Sequence, residues 1–115
     1  HRLPRMIGQA QALGMILTGR RVSAEEGRAL GFVNEVVPQG EALGAAKRWA
    51  AMILECSPLA VRASKQAVLA GQDAASLREA IGTLYPAQRR NRDSEDFIEG
   101  PKAFAEKRKP VWRNR

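Results

Sequence analysis

Helix-start signals recur along this chain and constrain its fold more than any other feature. Ser23-Ala24-Glu25-Glu26 and Ser76-Leu77-Arg78-Glu79 have the capping-box form, in which a hydroxyl accepts from the third helical N–H and a carboxylate reaches back to the cap. Ser57-Pro58 places a hydroxyl at an N-cap and proline at the first helical position, where its missing N–H is not needed. Ser94 is followed by Glu95 and Asp96, acids at the positive end of a helix dipole. A chain punctuated in this way predicts a succession of short helices.

The apolar pattern fills in the elements between these signals. Leu43, Ala46, Ala50, Ile53 and Leu54 recur at steps of three and four, predicting an amphipathic helix over 41–56 with one buried stripe. The helix from Ser57-Pro58 should stop at Gly71, and the one opened at Ser23 should end at Gly31 in a left-handed conformation. Upstream, Leu3 to Leu17 suggest one or two helices before a Thr18-Gly19 turn. Pro86 should kink or terminate the helix that starts at Ser76, and Gly100-Pro101 should interrupt the last one. Phe32-Val33-Asn34-Glu35-Val36-Val37 reads as a brief strand stopped by Pro38. A lone strand cannot satisfy its ladder groups, so it either pairs outside the chain or is extended coil.

Composition removes several chemistries. The 115 residues contain one cysteine, Cys56, and one histidine, His1. No internal disulfide is available, and the lone thiol fits a reducing, cytoplasmic setting. A single terminal imidazole leaves no nitrogen-rich metal site and no triad. No stretch approaches the roughly 18 unbroken apolar residues of a membrane helix, and no leader-like segment opens the sequence. The acid pairs Glu25/Glu26 and Glu95/Asp96 are explained by helix dipoles rather than by acid–base work. Cys56 reads as a buried small hydrophobe, Met6, Met15 and Met52 as core filler, and Arg89-Arg90-Asn91-Arg92 as cations complementing a helix C-terminus. Trp49 lies off the best stripe of its helix and hints at a second packing surface.

Charge is concentrated at the ends. Of the net +7, residues 1–21 carry +4 and residues 102–115 carry +5, leaving the body at −2. A basic end on a near-neutral body suits a partner bearing phosphates, although a solvated tail gives the same pattern. Within Phe104-Ala105-Glu106-Lys107 an aromatic and a lysine three apart share one helical face, an arrangement suited to a nucleotide base and a phosphate. The same residues fit a core anchor beside a solvated charge, and no glycine-rich phosphate loop accompanies them.

Five segments taken in order carry a family resemblance. Arg2-Leu3-Pro4-Arg5-Met6-Ile7-Gly8, then Leu17 to Glu26, Leu30 to Pro38, Ser57 to Lys65 and Glu99 to Pro110 are similar to the C-terminal part of the enoyl-CoA hydratase/isomerase (crotonase) family. The resemblance covers essentially the whole chain. It implies a mostly α domain over residues 1–115, the helical C-terminal lid and trimerisation part of the ClpP-like α/β spiral fold, with one short strand. In the family the two glutamates that hydrate the double bond, and the N–H pair that polarises the thioester carbonyl, lie in the N-terminal spiral. The second glutamate lies shortly before a Gly-Gly pair, and this chain starts just after the matching point. No residue here therefore matches a catalytic position.

The implied chemistry is addition of water to a trans-2-enoyl-CoA, with an isomerase or dehydratase as alternatives inside the family. The resemblance assigns Phe104 and Lys107 to the coenzyme A moiety of the acyl-CoA substrate bound by a neighbouring subunit, with no separate cofactor and no metal. It implies a homo-oligomer, a trimer or dimer of trimers, with neither nucleic acid nor membrane as partner, and a chain inactive without the catalytic half. The rivals from other classes are a basic helical nucleic-acid-binding module and a pure oligomerisation module. Gly14, Gly27, Gly44 and Gly82 fall inside predicted helices, where each costs up to ~1 kcal/mol relative to alanine.

Overall fold

A computed structural model describes residues 1–115 as eight helices: α1 (Arg2–Ile7), α2 (Gln9–Thr18), α3 (Ala24–Ala29), α4 (Ala42–Leu54), α5 (Pro58–Gly71), α6 (Leu77–Gly82), α7 (Pro86–Arg92) and α8 (Glu95–Ala105). The chain divides into two compact units, His1–Arg48 and Trp49–Arg115, with the division falling inside α4. No helix is long and apolar enough to cross a membrane.

In the first unit α1 packs on α2. Gly19, at φ 62°, ends α2 in the left-handed conformation, its N–H donating to the Met15 carbonyl. Ser23 caps α3 as expected, its Oγ accepting from Glu26 N at 3.1 Å. The reciprocal half of the capping box does not form, because the Glu26 carboxylate takes a two-pronged bond from Arg20 instead, at 2.6 and 3.0 Å. Gly31, at φ 90°, closes α3 as predicted. Phe32 N donates to Gly27 O and Gly31 N to Arg28 O, the paired bonds of a Schellman turn.

That turn corrects the expected strand. The structure contains no strand, and Phe32–Val37 is turn and irregular backbone. The Phe32 and Val33 amides are both spent on the Gly27 carbonyl, at 3.1 and 3.2 Å, so they are not available to a ladder. The apolar run has no neighbouring strand, and helix capping takes its donors. Helices are the only regular elements of the fold.

In the second unit α5 packs most extensively against α7, with α6 also against α5 and α8 against α7. Ser57, Ser76 and Ser94 cap α5, α6 and α8, accepting from Ala60, Glu79 and Phe97 amides respectively. Glu79 reaches back one residue beyond the cap, to Ala75 N at 3.0 Å. Pro86 neither kinks nor ends a helix. The preceding helix has already stopped at Gly82, and Pro86 opens α7 from its first turn, where its missing donor costs nothing. Pro101 lies inside α8, which runs through the expected break. The lost bond is outweighed by the strong cap at Ser94 and by the side-chain ties of Asp96 and Glu99 described below.

Burial departs from the sequence pattern. The buried apolar residues are Ala12, Ala45, Leu59, Ala63 and Ala103. On α4, Leu43, Ile53 and Leu54 are exposed, so the predicted stripe is a solvent-facing apolar surface rather than core. Met6 and Met52 are likewise exposed, Met15 is half-buried, and Trp49 is exposed. Cys56 is also exposed rather than buried, its thiol directed to the Met52 carbonyl at 3.7 Å.

Candidate functional site

The C-terminal residues are not a loose tail; they fold back onto α8 and the start of α5. Asp96, only 2 % exposed, is the centre of this arrangement. Its carboxylate accepts from Ser57 Oγ–H at 3.0 Å, from Arg113 N at 2.7 Å and from Asn114 N at 3.2 and 3.3 Å. Glu95 N donates to the Arg115 carbonyl, and the Glu95 side chain pairs with Arg115. Trp112 donates its indole N–H to Glu55 O at 2.8 Å, and its ring lies over Gly100, 3.5 Å from where a Cβ would stand. Arg62 on α5 donates to Asn114 Oδ1 at 3.0 Å. Asp96 is thus a tertiary keystone, and the dipole explanation of this acid accounts for only part of its role.

The two residues expected to bind coenzyme A stand at the other end of α8. Phe104, in the last turn, is 87 % exposed. Lys107 is also exposed, but it does not continue the helical face. The helix stops at Ala105, and Lys107 takes a left-handed backbone at φ 54°. Its N–H donates to Phe104 O, while Arg108 N donates to Ala103 O, a second Schellman turn with lysine where glycine is usual. Spacing alone placed the ring and the ammonium on one helix face, whereas the turn sets them around a helix end.

Arg108 and Glu99 hold this turn to the body of α8. Arg108 Nη1 and Nη2 donate to the two Glu99 oxygens at 2.6 and 3.0 Å, and its Nε donates to Glu106 at 2.6 Å. Val111 N adds a bond to Glu99 at 2.7 Å. The Arg108 guanidinium, and secondarily the Val111 N–H, hold the Glu99 carboxyl at about 2, well below the usual carboxylate range. A depressed carboxylate stabilises the fold fully above its unfolded value of 4.5 and loses that contribution as pH falls through about 2. Amide-exchange protection of Val111, compared with its protection in Glu99→Gln, should therefore hold above pH 4.5 and shrink toward parity as pH approaches 2.

A cleft of about 690 Å³ in the second unit lies among α5, α6, α7 and α8 and is lined by residues such as Ala67, Ile81, Leu84, Tyr85 and Phe97. Arg92 is the charged residue in its wall, and no carboxylate lines it. A smaller cleft of about 480 Å³ beside α8 is lined by Glu95, Glu99, Lys102, Arg108 and Arg113. Its carboxylates already accept from Arg108 and Arg115. No carboxylate lines the first cleft, and both carboxylates of the second are ion-paired.

A short basic turn thus follows the exposed Phe104 at the end of α8, on a chain whose helices leave large apolar side chains exposed. The sequence model of the enoyl-CoA hydratase/isomerase family matches residues 1–115, and the chain belongs to that family. It is 39% identical over 120 residues to the carnitinyl-CoA dehydratase of Salmonella paratyphi A, covering 99% of this chain and 45% of the relative. Among solved structures, the enoyl-CoA hydratase of Mycobacterium marinum is 38% identical with a TM-score of 0.90, over 99% of this chain and 45% of that one. The enoyl-CoA hydratase of Bacillus anthracis is 36% identical with a TM-score of 0.90, over 100% of this chain and 44% of that one. The chain thus spans a little under half the length of the relatives it matches.

Proposed function

We propose that these 115 residues serve as the C-terminal helical part of an enoyl-CoA hydratase-like enzyme, contributing cover for an active site, subunit contacts and part of the coenzyme A site. The observation that carries this reading is the pairing of Phe104, almost wholly exposed, with Lys107 at the end of the same helix. An exposed ring offers a face to a nucleotide base, and an ammonium at the helix end offers a point charge to a phosphate. The exposed apolar side chains, Leu43, Ile53 and Leu54 on α4 and Leu77 and Ile81 on α6, support a role in contacts with further protein. The hydrating carboxylates and the oxyanion donors belong, on this reading, to residues outside the sequence, and the chain alone is inactive. Similarity to a carnitinyl-CoA dehydratase favours a second reading within the same class, elimination of water from a hydroxyacyl-CoA rather than its addition.

Two measurements test the reading. The chain alone should not consume the conjugated absorbance of a short trans-2-enoyl-CoA; turnover above background overturns the assignment of catalysis elsewhere. Titration at two salt concentrations should show coenzyme A binding more tightly than 3′-dephospho-coenzyme A. Equal and steeply salt-dependent binding to coenzyme A, its dephospho form and duplex DNA would instead identify a non-specific polyanion surface.

A further inference from the structure

We propose that Glu99 and Arg108 are positioning residues for Lys107, holding its backbone in a preformed turn so that its side chain meets the phosphate of coenzyme A at a smaller ordering cost. The inference rests on the coenzyme A reading of Lys107 given above, and adds the residues through which that lysine acts.

The backbone supplies the first argument. Lys107 sits at φ 54°, a region that L side chains rarely adopt and that glycine fills at most helix ends of this type. Hydrogen bonding in the turn uses only main-chain atoms of residues 103, 104, 107 and 108, so the turn itself has no need of a lysine side chain. A residue held in a sparsely populated conformation persists when its surroundings over-determine it, and such positions cluster at ligand contacts.

The surroundings do over-determine it. Arg108, directly after Lys107, engages all three guanidinium nitrogens: Nη1 and Nη2 on Glu99 and Nε on Glu106, the residue directly before Lys107. Val111 N returns to the same Glu99 oxygen that accepts from Arg108 Nη1. Residues 108 and 111 are thereby tied to a single carboxylate two residues before Pro101 in α8, with Glu106 joined to it through Arg108. Two parallel charge-assisted bonds fix direction as well as distance, so the Cα of Lys107 is held relative to Phe104. A cation carried on a fixed backbone loses less freedom on binding than one on a mobile tail. Each Arg108 nitrogen is already engaged, by Glu99, Glu106 and the Lys109 carbonyl, which favours its neighbour for the phosphate contact.

Glu99→Gln separates this proposal from its rival, because the two predict opposite signs. The substitution removes a negative charge and loosens the guanidinium. If Arg108 bound phosphate itself, or if attraction were diffuse, coenzyme A would bind as tightly or more tightly. Positioning predicts that it binds about 3- to 10-fold more weakly, on the full 115-residue chain, by calorimetric titration. In a Lys107→Ala background the same substitution should have no further effect. The Lys107 Cα chemical shift should move away from its left-handed value in Glu99→Gln. Lys107→Gly should keep or raise the Tm while coenzyme A binding weakens as in Lys107→Ala. Arg108→Lys, which keeps the charge and loses the fork, should repeat the loss of affinity and serves in place of Glu99→Gln if that variant does not fold.

Unchanged or tighter binding in Glu99→Gln, or additive losses in the double variant, overturns the proposal while leaving Lys107 as a contact. If Lys107→Ala and Phe104→Ala leave coenzyme A affinity unchanged, the underlying reading fails instead, and the positioning role with it.

Discussion

Asp96→Ala should lower the unfolding free energy of the Trp49–Arg115 unit by about 3 kcal/mol, the largest effect expected of any single substitution outside the apolar core. The carboxylate is 2 % exposed and serves three donors: the Ser57 hydroxyl and the Arg113 and Asn114 amides. Hydrogen bonds to a charged acceptor contribute about 1.5–3 kcal/mol each, and removing the acceptor strands any donor that water cannot reach. Ser57 is itself only 6% exposed, so its hydroxyl is one such donor. Asp96→Asn tests the chemistry more finely. The amide keeps the shape but offers one acceptor oxygen and presents its own donors toward an N–H, so about half the loss should remain. For a unit of this size, ~3 kcal/mol corresponds to a fall in Tm of roughly 12–24 °C. Thermal melts that shift by less than a few degrees would show that the network contributes little.

The second large effect changes sign between two glycines that look alike in the sequence. A Cβ at Gly27 would stand 2.8 Å from Val33 Cγ2 and 3.0 Å from the Phe32 ring, both part of the turn that closes α3. Gly27→Ala gains up to ~1 kcal/mol of helix propensity but forces a short, stiff valine and the returning backbone outward, which costs about 1–3 kcal/mol. The net should be destabilisation by about 1–2 kcal/mol, with faster exchange of the Phe32 and Val33 amides that bond to Gly27 O. At Gly44, within α4, nothing lies within 4 Å of the added methyl. Gly44→Ala should therefore stabilise by up to ~1 kcal/mol. Denaturant titration of the two variants reads both signs; a stabilised Gly27→Ala would mean that the turn yields easily.

Local features of this fold were legible in the sequence, and those set by distant neighbours were not. Ser23, Ser57, Ser76 and Ser94 announce their helices because a cap bonds to amides three residues away. Gly19 and Gly31 announce helix ends because the left-handed turn is likewise local. The reading of Phe32–Val37 as a strand fails because β-branched residues show a preference, while a ladder requires a partner at hydrogen-bonding distance. The expected break at Gly100-Pro101 fails for the complementary reason: ties from Asp96 and Glu99 to residues 108–114 hold α8 across its missing donor.

Candidate binding residues show the same division. Phe104 and Lys107 are both exposed, but the three-residue spacing gave no sign that the helix stops between them. Asp96 has no mark of its role in the sequence, because the helix dipole already accounts for an acid in a first turn. Nothing in its neighbourhood along the chain distinguishes a solvated carboxylate from one that gathers Ser57, Arg113 and Asn114.

The order of the last nine residues has a practical consequence for handling the protein. Removing only the final three would take away both amides that serve Asp96 and the carbonyl that receives Glu95 N–H, exposing the first turn of α8 and the hydroxyl that opens α5. Carboxypeptidase trimming, or a tag whose linker replaces Arg113-Asn114-Arg115, would thus injure the interior from the outside. A mass spectrum showing residues 113–115 intact is a sensible condition for trusting any binding measurement.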